Sequence, residues 1–372
     1  MTYDLITAQS PKIHNRGYEY TANMPMDEYG QWKEIAFKAQ NPEYLHWEQL
    51  RRKDWLPADN PEKTWAMIKF FRGGKETPII ATDFSSFSCT YCSRYEEILH
   101  NFTHNLSGNI IGHAQIMNDK EKRKYITRGL IEEAIASSQL EGANTTRKYA
   151  RKMITEGLQP RDKSQRMIIN NYSAMQKIEQ NYKNEDMSLA LLHDLHMALR
   201  KDNTLDQGKS GHFRTDKDDI VLNGPEHDGK IAFIPLNMAF VEEKIPHLIN
   251  FANDRLESPF IHPVLKAIML HFWIGYLHPY GDGNGRLARA LFYWCLLRKG
   301  YWAFSFLPIS EAIKKSPVQY GWSYIYSEQD NNDLTYFLDY NLKKFCRHKE
   351  ASLHTSRKRK RNASRSSQHQ RQ

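Results

Sequence analysis

Two apolar segments of helical length, about 263–276 and 285–299, are separated by a short stretch that is rich in glycine. Pro263 suits the first turn of the first segment, because an N–H at that position would have no partner within the helix. The stretch between the segments cannot continue either helix. We therefore predict a loop that ends at the N-terminus of the second helix.

The rest of the middle of the chain also has a helical pattern. Apolar residues recur at three- to five-residue spacing over about 126–140 and 187–199, and Gly142 is typical of a helix C-terminus. The pattern changes to short β-like runs at 220–222 and 231–234, which flank turn-forming residues and predict a hairpin. We predict a mainly α fold with one small β-hairpin.

Composition divides the chain into three zones. Residues 1–120 are predicted to be a helical and turn-rich N-terminal extension that contacts a target protein or a second copy. Residues 121–345 form the helical body, and hydrophobic residues at 40% of the 372-residue chain are enough to give it a core. Residues 346–372 are polar, basic and low in complexity, which predicts a disordered tail.

The net charge of +9 suggests a nucleic-acid binder when it is taken for the whole chain. Most of this charge lies in the tail, which has no acidic residue after position 350. The seven basic residues there are Arg357, Lys358, Arg359, Lys360, Arg361, Arg365 and Arg371. The body is therefore close to neutral, and we expect only weak, salt-sensitive, non-specific contact with nucleic acid through the tail.

Other classes of protein are excluded by features that the sequence lacks. No run of about 18 uncharged apolar residues is present, since Lys266 and His271 interrupt the best candidate. The first twelve residues lack the basic and apolar regions of a signal peptide, and four cysteines do not make a disulfide framework. We expect a cytoplasmic protein that does not act at a membrane.

The segment from His278 to Arg289 carries the residue types of a phosphoryl- or nucleotidyl-transfer site. Open N–H groups in its glycine-rich loop, together with the positive end of the following helix, can hold an anion. Arg286 and Arg289 share one helix face, so both can reach one polyphosphate. Asp282 is suited to hold Mg²⁺ beside the phosphates, and histidine at position 278 can act as a general base toward a hydroxyl group.

The same twelve residues resemble the Fic-domain motif, His-x-(Phe/Tyr)-x-(Asp/Glu)-Gly-Asn-Gly-Arg-x-x-Arg, at every fixed position. Tyr280 stands where the family usually has phenylalanine. Residues 211–235 look like the family's flap region, and 263–277 looks like the helix that leads into the motif. The resemblance covers roughly 121–345, and it implies a Fic-type helical bundle with a small β-hairpin flap over the active loop.

The resemblance implies transfer of AMP from ATP to a Ser, Thr or Tyr hydroxyl of a protein. His278 would be the base, Asp282 would bind Mg²⁺, and Arg289 would hold the γ-phosphate. The α- and β-phosphates would be held by Gly283, Asn284, Gly285 and Arg286. Family analogy places Tyr320 against the adenine. The flap edge that would pair with the target as an added strand consists of Ile220, Val221, Leu222, Asn223 and Gly224.

A second family feature lies upstream of the motif. Ser137 to Gly142 resembles the Fic inhibitory pattern (Ser/Thr)-x-x-x-Glu-(Gly/Asn), at the end of a predicted helix over about 126–141. The resemblance implies that Glu141 pairs with Arg289 and removes its charge from the γ-phosphate. Some members use this glutamate to position water and remove AMP, so the sequence leaves open a role in AMP removal.

Two alternatives remain beside a self-inhibited adenylyltransferase. One is a Fic-type transferase that uses another nucleotide donor or acts as a phosphotransferase, although Gly285 and Arg289 argue against the latter. The other is a nucleic-acid-binding regulator with a vestigial core, against which the intact motif argues. The sequence does not name the target protein, and it is compatible with self-modification and with a homodimer.

Overall fold

The computed structural model describes residues 4–13, 17–73, 76–78, 87–106, 119–201, 210–226, 228–256 and 260–346. The basic run at 357–361 lies outside these residues. The chain forms two compact units, each assembled from segments that are distant in sequence. The first unit consists of Met1–His100, Arg214–Gly281 and Pro317–Tyr340, and the second of Asn101–Phe213, Asp282–Ser316 and Asn341–Gln372.

The described residues are mainly helical. In chain order the helices are α1 (Gly17–Thr21), α2 (Met26–Lys38), α3 (Trp47–Leu50), α4 (Pro61–Gly73), α5 (Arg94–Leu106), α6 (Asp119–Leu140), α7 (Arg147–Glu156), α8 (Lys163–Gln180), α9 (Leu189–Arg200), α10 (Met238–Ala252), α11 (Pro263–Leu277), α12 (Asn284–Arg298), α13 (Ile309–Lys314), α14 (Pro317–Gln329) and α15 (335–346). The strands are β1 (Glu76–Pro78), β2 (Ser88–Thr90), β3 (Leu222–Asn223) and β4 (Ile231–Phe233), which pair as two antiparallel hairpins, β1 with β2 and β3 with β4. The predicted fold class is confirmed.

Helix α11 of the first unit is buried along almost its whole length. It begins at Pro263, and the ring of His262 accepts a hydrogen bond from the Val264 N–H at 3.2 Å. It ends at His278, which adopts the left-handed conformation at φ 46° and donates its N–H to the Ile274 carbonyl. The sequence of this helix therefore places His278 at the end of a rigid, buried element. No helix in the described ranges is long and apolar enough to cross a membrane.

The predicted hairpin is confirmed, with shorter strands than the sequence pattern predicts. Leu222 pairs with Phe233 and Asn223 with Ile231, with an irregular register between them. Ile220 and Val221 precede β3, and Gly224 follows it. The hairpin therefore presents a short and irregular pair of strands.

An N-terminal segment covers the second edge of this hairpin. The Ile6 N–H donates to the Ile231 carbonyl at 2.8 Å, and the Ile231 N–H donates to the Asp4 carbonyl at 2.9 Å. A Cβ atom at Gly224 would lie 2.4 Å from the Ile6 Cδ1 atom, so a side chain there would displace the end of the Ile6 side chain. Nothing in the local pattern of residues 1–120 predicts this pairing, because it joins residues more than 200 positions apart.

Helix α6 of the second unit extends the predicted inhibitory helix toward the N-terminus. It begins at Asp119 and ends at Leu140, where Gly142 at φ 86° allows the chain to turn and the Ala143 N–H donates to the Ser138 carbonyl. Its apolar face packs against α7 and α8. The core cluster there consists of Ile131, Ile135, Ala143, Ala150, Met153 and Ile168.

Replacing Gly129 with alanine has two opposite effects on stability: alanine has the higher helix propensity, but its Cβ atom would collide with a neighbouring segment. A Cβ atom at this α6 position would lie 1.9 Å from the Ser305 carbonyl oxygen, so the segment at Ser305 would have to move. We expect Gly129→Ala to lower the free energy of unfolding by about 1–3 kcal/mol, although alanine favours helix. Thermal and urea denaturation measure this effect.

Gly30 provides the matched control within α2. A Cβ atom there would meet nothing within 4 Å. Gly30→Ala should therefore raise the free energy of unfolding by about 0.5–1 kcal/mol. If both variants are stabilised equally, the close approach of α6 to Ser305 is wrong.

Candidate active site

The N-terminus of α12 forms a potential anion site. Gly283 precedes the helix in the left-handed conformation at φ 91°, which favours glycine. Gly283 has no side chain that could cap the helix, and the N–H groups of the first turn of a helix have no acceptor within the helix itself. The helix dipole adds partial positive charge at the same place.

Arg286 brings a buried cation to this end of the helix. Its side chain is 3% exposed, and its Nη1 group donates to the Leu199 carbonyl at 2.8 Å. Burial lowers the pKa of Arg286 to about 10, with the neighbouring Arg200 and Arg289 acting in the same direction. The group is still protonated at neutral pH, so it remains a cation that an anionic ligand would stabilise.

Arg289 is held by the end of α6. Its Nη2 group donates to Glu141 Oε1 at 2.7 Å and to the Ser137 carbonyl at 3.1 Å, while Nε donates to Ser137 Oγ at 2.8 Å. A Cβ atom at Gly285 would lie 2.3 Å from Glu141 Oε1. A side chain at position 285 would therefore displace the carboxylate from the position in which it contacts Arg289 beside the first turn of α12.

Glu133 joins α6 to α12 and α13 at a second point, one helical turn before Ser137. It is buried, and its Oε2 atom accepts hydrogen bonds from the Tyr293 hydroxyl at 3.0 Å and the Ser310 N–H at 2.9 Å. Burial raises its pKa, although these hydrogen bonds act in the opposite direction. Glu133, Ser137 and Glu141 are each four residues apart, so they share one helix face. We call the hydrogen bonds of Glu133 to Tyr293 and Ser310 the Glu133 clamp. Because Glu133 and Glu141 lie on one face of α6, this clamp orients that face, and with it Glu141, toward α12.

Asp282 lies immediately before this helix and is 45% exposed. Its carboxylate forms an ion pair with Arg200 Nη1 at the end of α9, and Arg286 Nη2 lies 3.6 Å away. No group of three or more His, Cys, Asp or Glu side chains that could hold a metal is found in the described ranges. A single carboxylate fits Mg²⁺, because this ion commonly takes its remaining ligands from phosphates and water.

His196 holds the backbone of Asp282, the residue of the glycine-rich loop that comes shortly before α12. Its Nδ1 atom accepts the Gly211 N–H at 3.0 Å, so the proton of the neutral ring is on Nε2, which donates to the Asp282 carbonyl at 2.9 Å. Burial, followed by the charges of Arg200 and Arg286, lowers the pKa of His196 to about 3. The neutral ring therefore positions Asp282 over the physiological pH range.

His278 and its neighbours belong to the first unit. Its carbonyl accepts a hydrogen bond from Arg214 Nε at 2.8 Å, and the Arg214 N–H donates to the Pro279 carbonyl at 2.9 Å. Arg214 is buried, and this burial lowers its pKa. Tyr280 is fully buried and anchors the loop. Arg214 therefore stabilises the left-handed backbone conformation of His278, with which the chain leaves α11.

Tyr320 of α14 contacts α11 within the first unit. Its hydroxyl lies 2.7 Å from His271 Nε2, and its ring packs at a tilt against Phe337. The Tyr324 hydroxyl donates to the His271 carbonyl at 3.2 Å. The contact of Tyr320 with an adenine stays a prediction.

The second unit brings together Ser137, Glu141 and the predicted nucleotide-binding residues from Asp282 to Arg289. The first unit contains His278, the flap residues and Tyr320. Sequence reasoning missed four residues that position the motif, namely Glu133, His196, Arg200 and Arg214. Only Arg214 carried a signal, because it ends the Gly-His-Phe-Arg segment that precedes the predicted hairpin.

Residues 186–296 match the Fic/DOC family. Protein adenylyltransferase Fic of Drosophila virilis is 29% identical over 131 residues, which cover 35% of this chain and 23% of the relative. The corresponding protein of Culex quinquefasciatus is 25% identical over 181 residues, which cover 49% of this chain and 34% of the relative. The chain therefore spans about a quarter to a third of the length of these curated relatives.

Two solved structures share the fold at low sequence identity. A Fic family protein from Desulfovibrio desulfuricans is 16% identical with a TM-score of 0.55, over 75% of this chain and 77% of the other. Fic-1 from C. elegans is 18% identical with a TM-score of 0.53, over 69% of this chain and 71% of the other. These similarities confirm the fold that the motif implies.

His196 makes stability depend on pH. Because its folded-state pKa lies near 3 and its ordinary value is 6.5, the stability that it contributes is complete above pH 6.5 and is lost as the pH falls toward 3. We expect His196→Gln to flatten the fall of the melting temperature over this range. The glutamine amide keeps a donor for Asp282 but has no group that titrates.

The control is His100→Gln, which removes an exposed histidine. His46 and His262 also have pKa values lowered to about 4 by burial, and they titrate equally in the wild type and in both variants. The difference between the variants therefore isolates His196. Parallel curves for His196→Gln and the wild type would contradict the neutral, buried state of this ring.

Proposed function

We propose, from the match of residues 186–296 to the Fic/DOC family, that this chain transfers AMP from ATP to a Ser, Thr or Tyr hydroxyl of a protein. The observation that carries the proposal is the N-terminus of α12, whose partial positive charge lies beside the buried cations Arg286 and Arg289. Such a site favours a polyphosphate over a neutral ligand. The name shared by the curated relatives, protein adenylyltransferase, supports AMP as the transferred group.

The second unit supplies the phosphate-binding part of the reaction. The first-turn N–H groups and Arg286 hold the α- and β-phosphates, and Arg289 holds the γ-phosphate when it is released from Glu141. These donors are fixed by the helix and by hydrogen bonds to Leu199 and Ser137, so little reorganisation is needed as charge develops on the leaving group.

His278 accepts the proton of the target hydroxyl as the oxygen attacks the α-phosphorus atom. A new P–O bond joins AMP to the protein, and the bond between the α-phosphorus and the bridging oxygen breaks. Pyrophosphate leaves with the electron pair of that bond. Arg214 is a positioning residue in this step, because it holds the backbone carbonyl of His278 rather than a reacting atom.

Asp282 would hold Mg²⁺ beside the phosphates. When bound, the ion neutralises phosphate charge. The chain itself contributes the exposed Asp282 carboxylate, which must leave its ion pair with Arg200 to bind the metal ion. His196 keeps the backbone of Asp282 in place during this exchange.

The hairpin is proposed to dock the target. Residues 4–6 take the outer edge of β4, whereas β3 bonds only to β4 in the part of the chain that is described. An extended segment of the target could therefore add to the β3 edge through backbone hydrogen bonds, with Ile220 to Gly224 as its partners.

Self-inhibition is the second part of the proposal. Glu141 and Ser137 occupy the hydrogen-bonding groups of Arg289 that would otherwise bind the γ-phosphate. The contact lies inside the second unit and is supported by the clamp at Glu133. Release of Glu141 should therefore increase AMP transfer.

The test is incubation with ATP that is labelled on either the α- or the γ-phosphate. We expect Glu141→Gly to increase transfer of the α-label about 10- to 100-fold over the wild type. The reason is that the substitution releases Arg289, whose positive charge can then stabilise the phosphates in the transition state. Adding His278→Ala should abolish this transfer, because it removes the base. The γ-label should not be transferred by any variant.

Glu156→Gly is the matched control, since it removes an exposed glutamate at the end of α7. It should label like the wild type. Transfer of the γ-label would indicate phosphorylation instead of AMP transfer. If Glu141→Gly transfers no more α-label than Glu156→Gly does, self-inhibition by Glu141 is wrong.

A further inference from the structure

A basic pocket in the second unit lies beside the nucleotide loop. It is lined by residues of α8 and α12, by the end of α9 and by the loop itself. Its charged residues are Lys163, Arg166, Arg200, Lys201, Arg286 and Asp282. Five cationic residues and a single carboxylate thus line the pocket, and Glu141 and Arg289 are not among the lining residues.

The walls of this basic pocket are fixed by hydrogen bonds. Asn170 Nδ2 of α8 donates to the Lys201 carbonyl at 2.6 Å, which joins α8 to the end of α9. Arg286 Nη1 donates to the Leu199 carbonyl at 2.8 Å, which joins α12 to the same end. The three helices that carry most of these cations are therefore joined to one another at the pocket.

The pocket also contains unused hydrogen-bonding capacity. Arg286 is 3% exposed, and its Nε atom is buried without an acceptor among the described residues. A buried donor without an acceptor costs free energy, so an anion that approaches the Arg286 guanidinium would be favoured at this wall of the pocket. The lowered pKa of this guanidinium has the same cause, since burial and the nearby Arg200 both disfavour its charge.

We infer that this pocket binds inorganic pyrophosphate, the leaving group of AMP transfer. The inference rests on the proposed function for the source of the ligand. Asp282 and Arg286 belong both to the nucleotide loop and to the pocket, so a leaving group held by Arg286 can move into it without losing its cationic partners. Two phosphoryl groups match several cations that include forked arginine donors, which bind phosphate in pairs of hydrogen bonds.

This assignment separates two anion sites within one unit. The Glu141–Arg289 pair blocks the γ-phosphate position but leaves the basic pocket open. Pyrophosphate should therefore bind to the self-inhibited wild-type chain. Product held in the pocket would slow release, so pyrophosphate is expected to inhibit AMP transfer.

Isothermal titration calorimetry with sodium pyrophosphate, on the full chain without Mg²⁺, tests the inference. We expect saturable binding to the wild type and a loss of about tenfold or more in affinity for Lys163→Ala/Arg166→Ala, because two charge-assisted contacts are removed. The matched control, Lys148→Ala/Lys152→Ala, removes two exposed lysines of α7 and should bind like the wild type. Circular dichroism and melting temperature establish that both double variants are folded.

Unchanged affinity in Lys163→Ala/Arg166→Ala would overturn the inference. So would a loss that occurs only in Arg289→Ala, because pyrophosphate would then occupy the γ-phosphate position. Equal affinity for sulfate would indicate a general anion site and would also overturn it. The proposed function fails separately: if pyrophosphate binds as expected but Glu141→Gly transfers no α-label, only AMP transfer is wrong.

Discussion

Arg289 is a buried cation of the second unit that pairs with the Glu141 carboxylate and donates hydrogen bonds to two oxygen atoms of Ser137. Loss of one partner of such a pair would leave an uncompensated buried charge, which is strongly destabilising. The end of α6 must therefore stay against α12 unless another anion takes the place of Glu141. A triphosphate supplies such an anion, and this exchange links the stability of the unit to its proposed regulation.

Several features of the motif follow from this constraint. A side chain at position 285 would displace the Glu141 carboxylate from its contact position. Gly283, at φ 91°, allows the loop to enter the helix in the left-handed conformation that favours glycine. Arg200 and His196 then hold Asp282, one through its carboxylate and the other through its carbonyl. The proposed inhibition and the proposed phosphate binding thus depend on the same close approach of backbone and charge.

Much of the fold could be predicted from local pattern. Helix α11, predicted over 263–276, runs from Pro263 to Leu277, and α12, predicted over 285–299, runs from Asn284 to Arg298. Both helices are buried, and a buried helix needs apolar residues, so their positions could be predicted from composition alone. Helix α6 begins about seven residues earlier than predicted, because its first two turns are mostly exposed and carry no apolar periodicity.

The candidate site was predictable only where its residues are close in sequence or match a known motif. The contact between Glu141 and Arg289 is observed as the resemblance implies. The ion pair between Arg200 and Asp282 and the cover of β4 by residues 4–6 join distant segments, and no spacing rule connects them. Such contacts depend on tertiary packing, which one sequence does not reveal.

The claim that Glu141 withdraws Arg289 from the γ-phosphate is tested most directly by comparing the affinities of ATP and ADP. Both are measured in a His278→Ala background, where no transfer occurs, with and without Glu141→Gly. The predicted result is equal affinity for ATP and ADP while Glu141 is present, and about tenfold tighter binding of ATP than of ADP in the Glu141→Gly variant. The same ratio of ATP to ADP affinity in both proteins would contradict it.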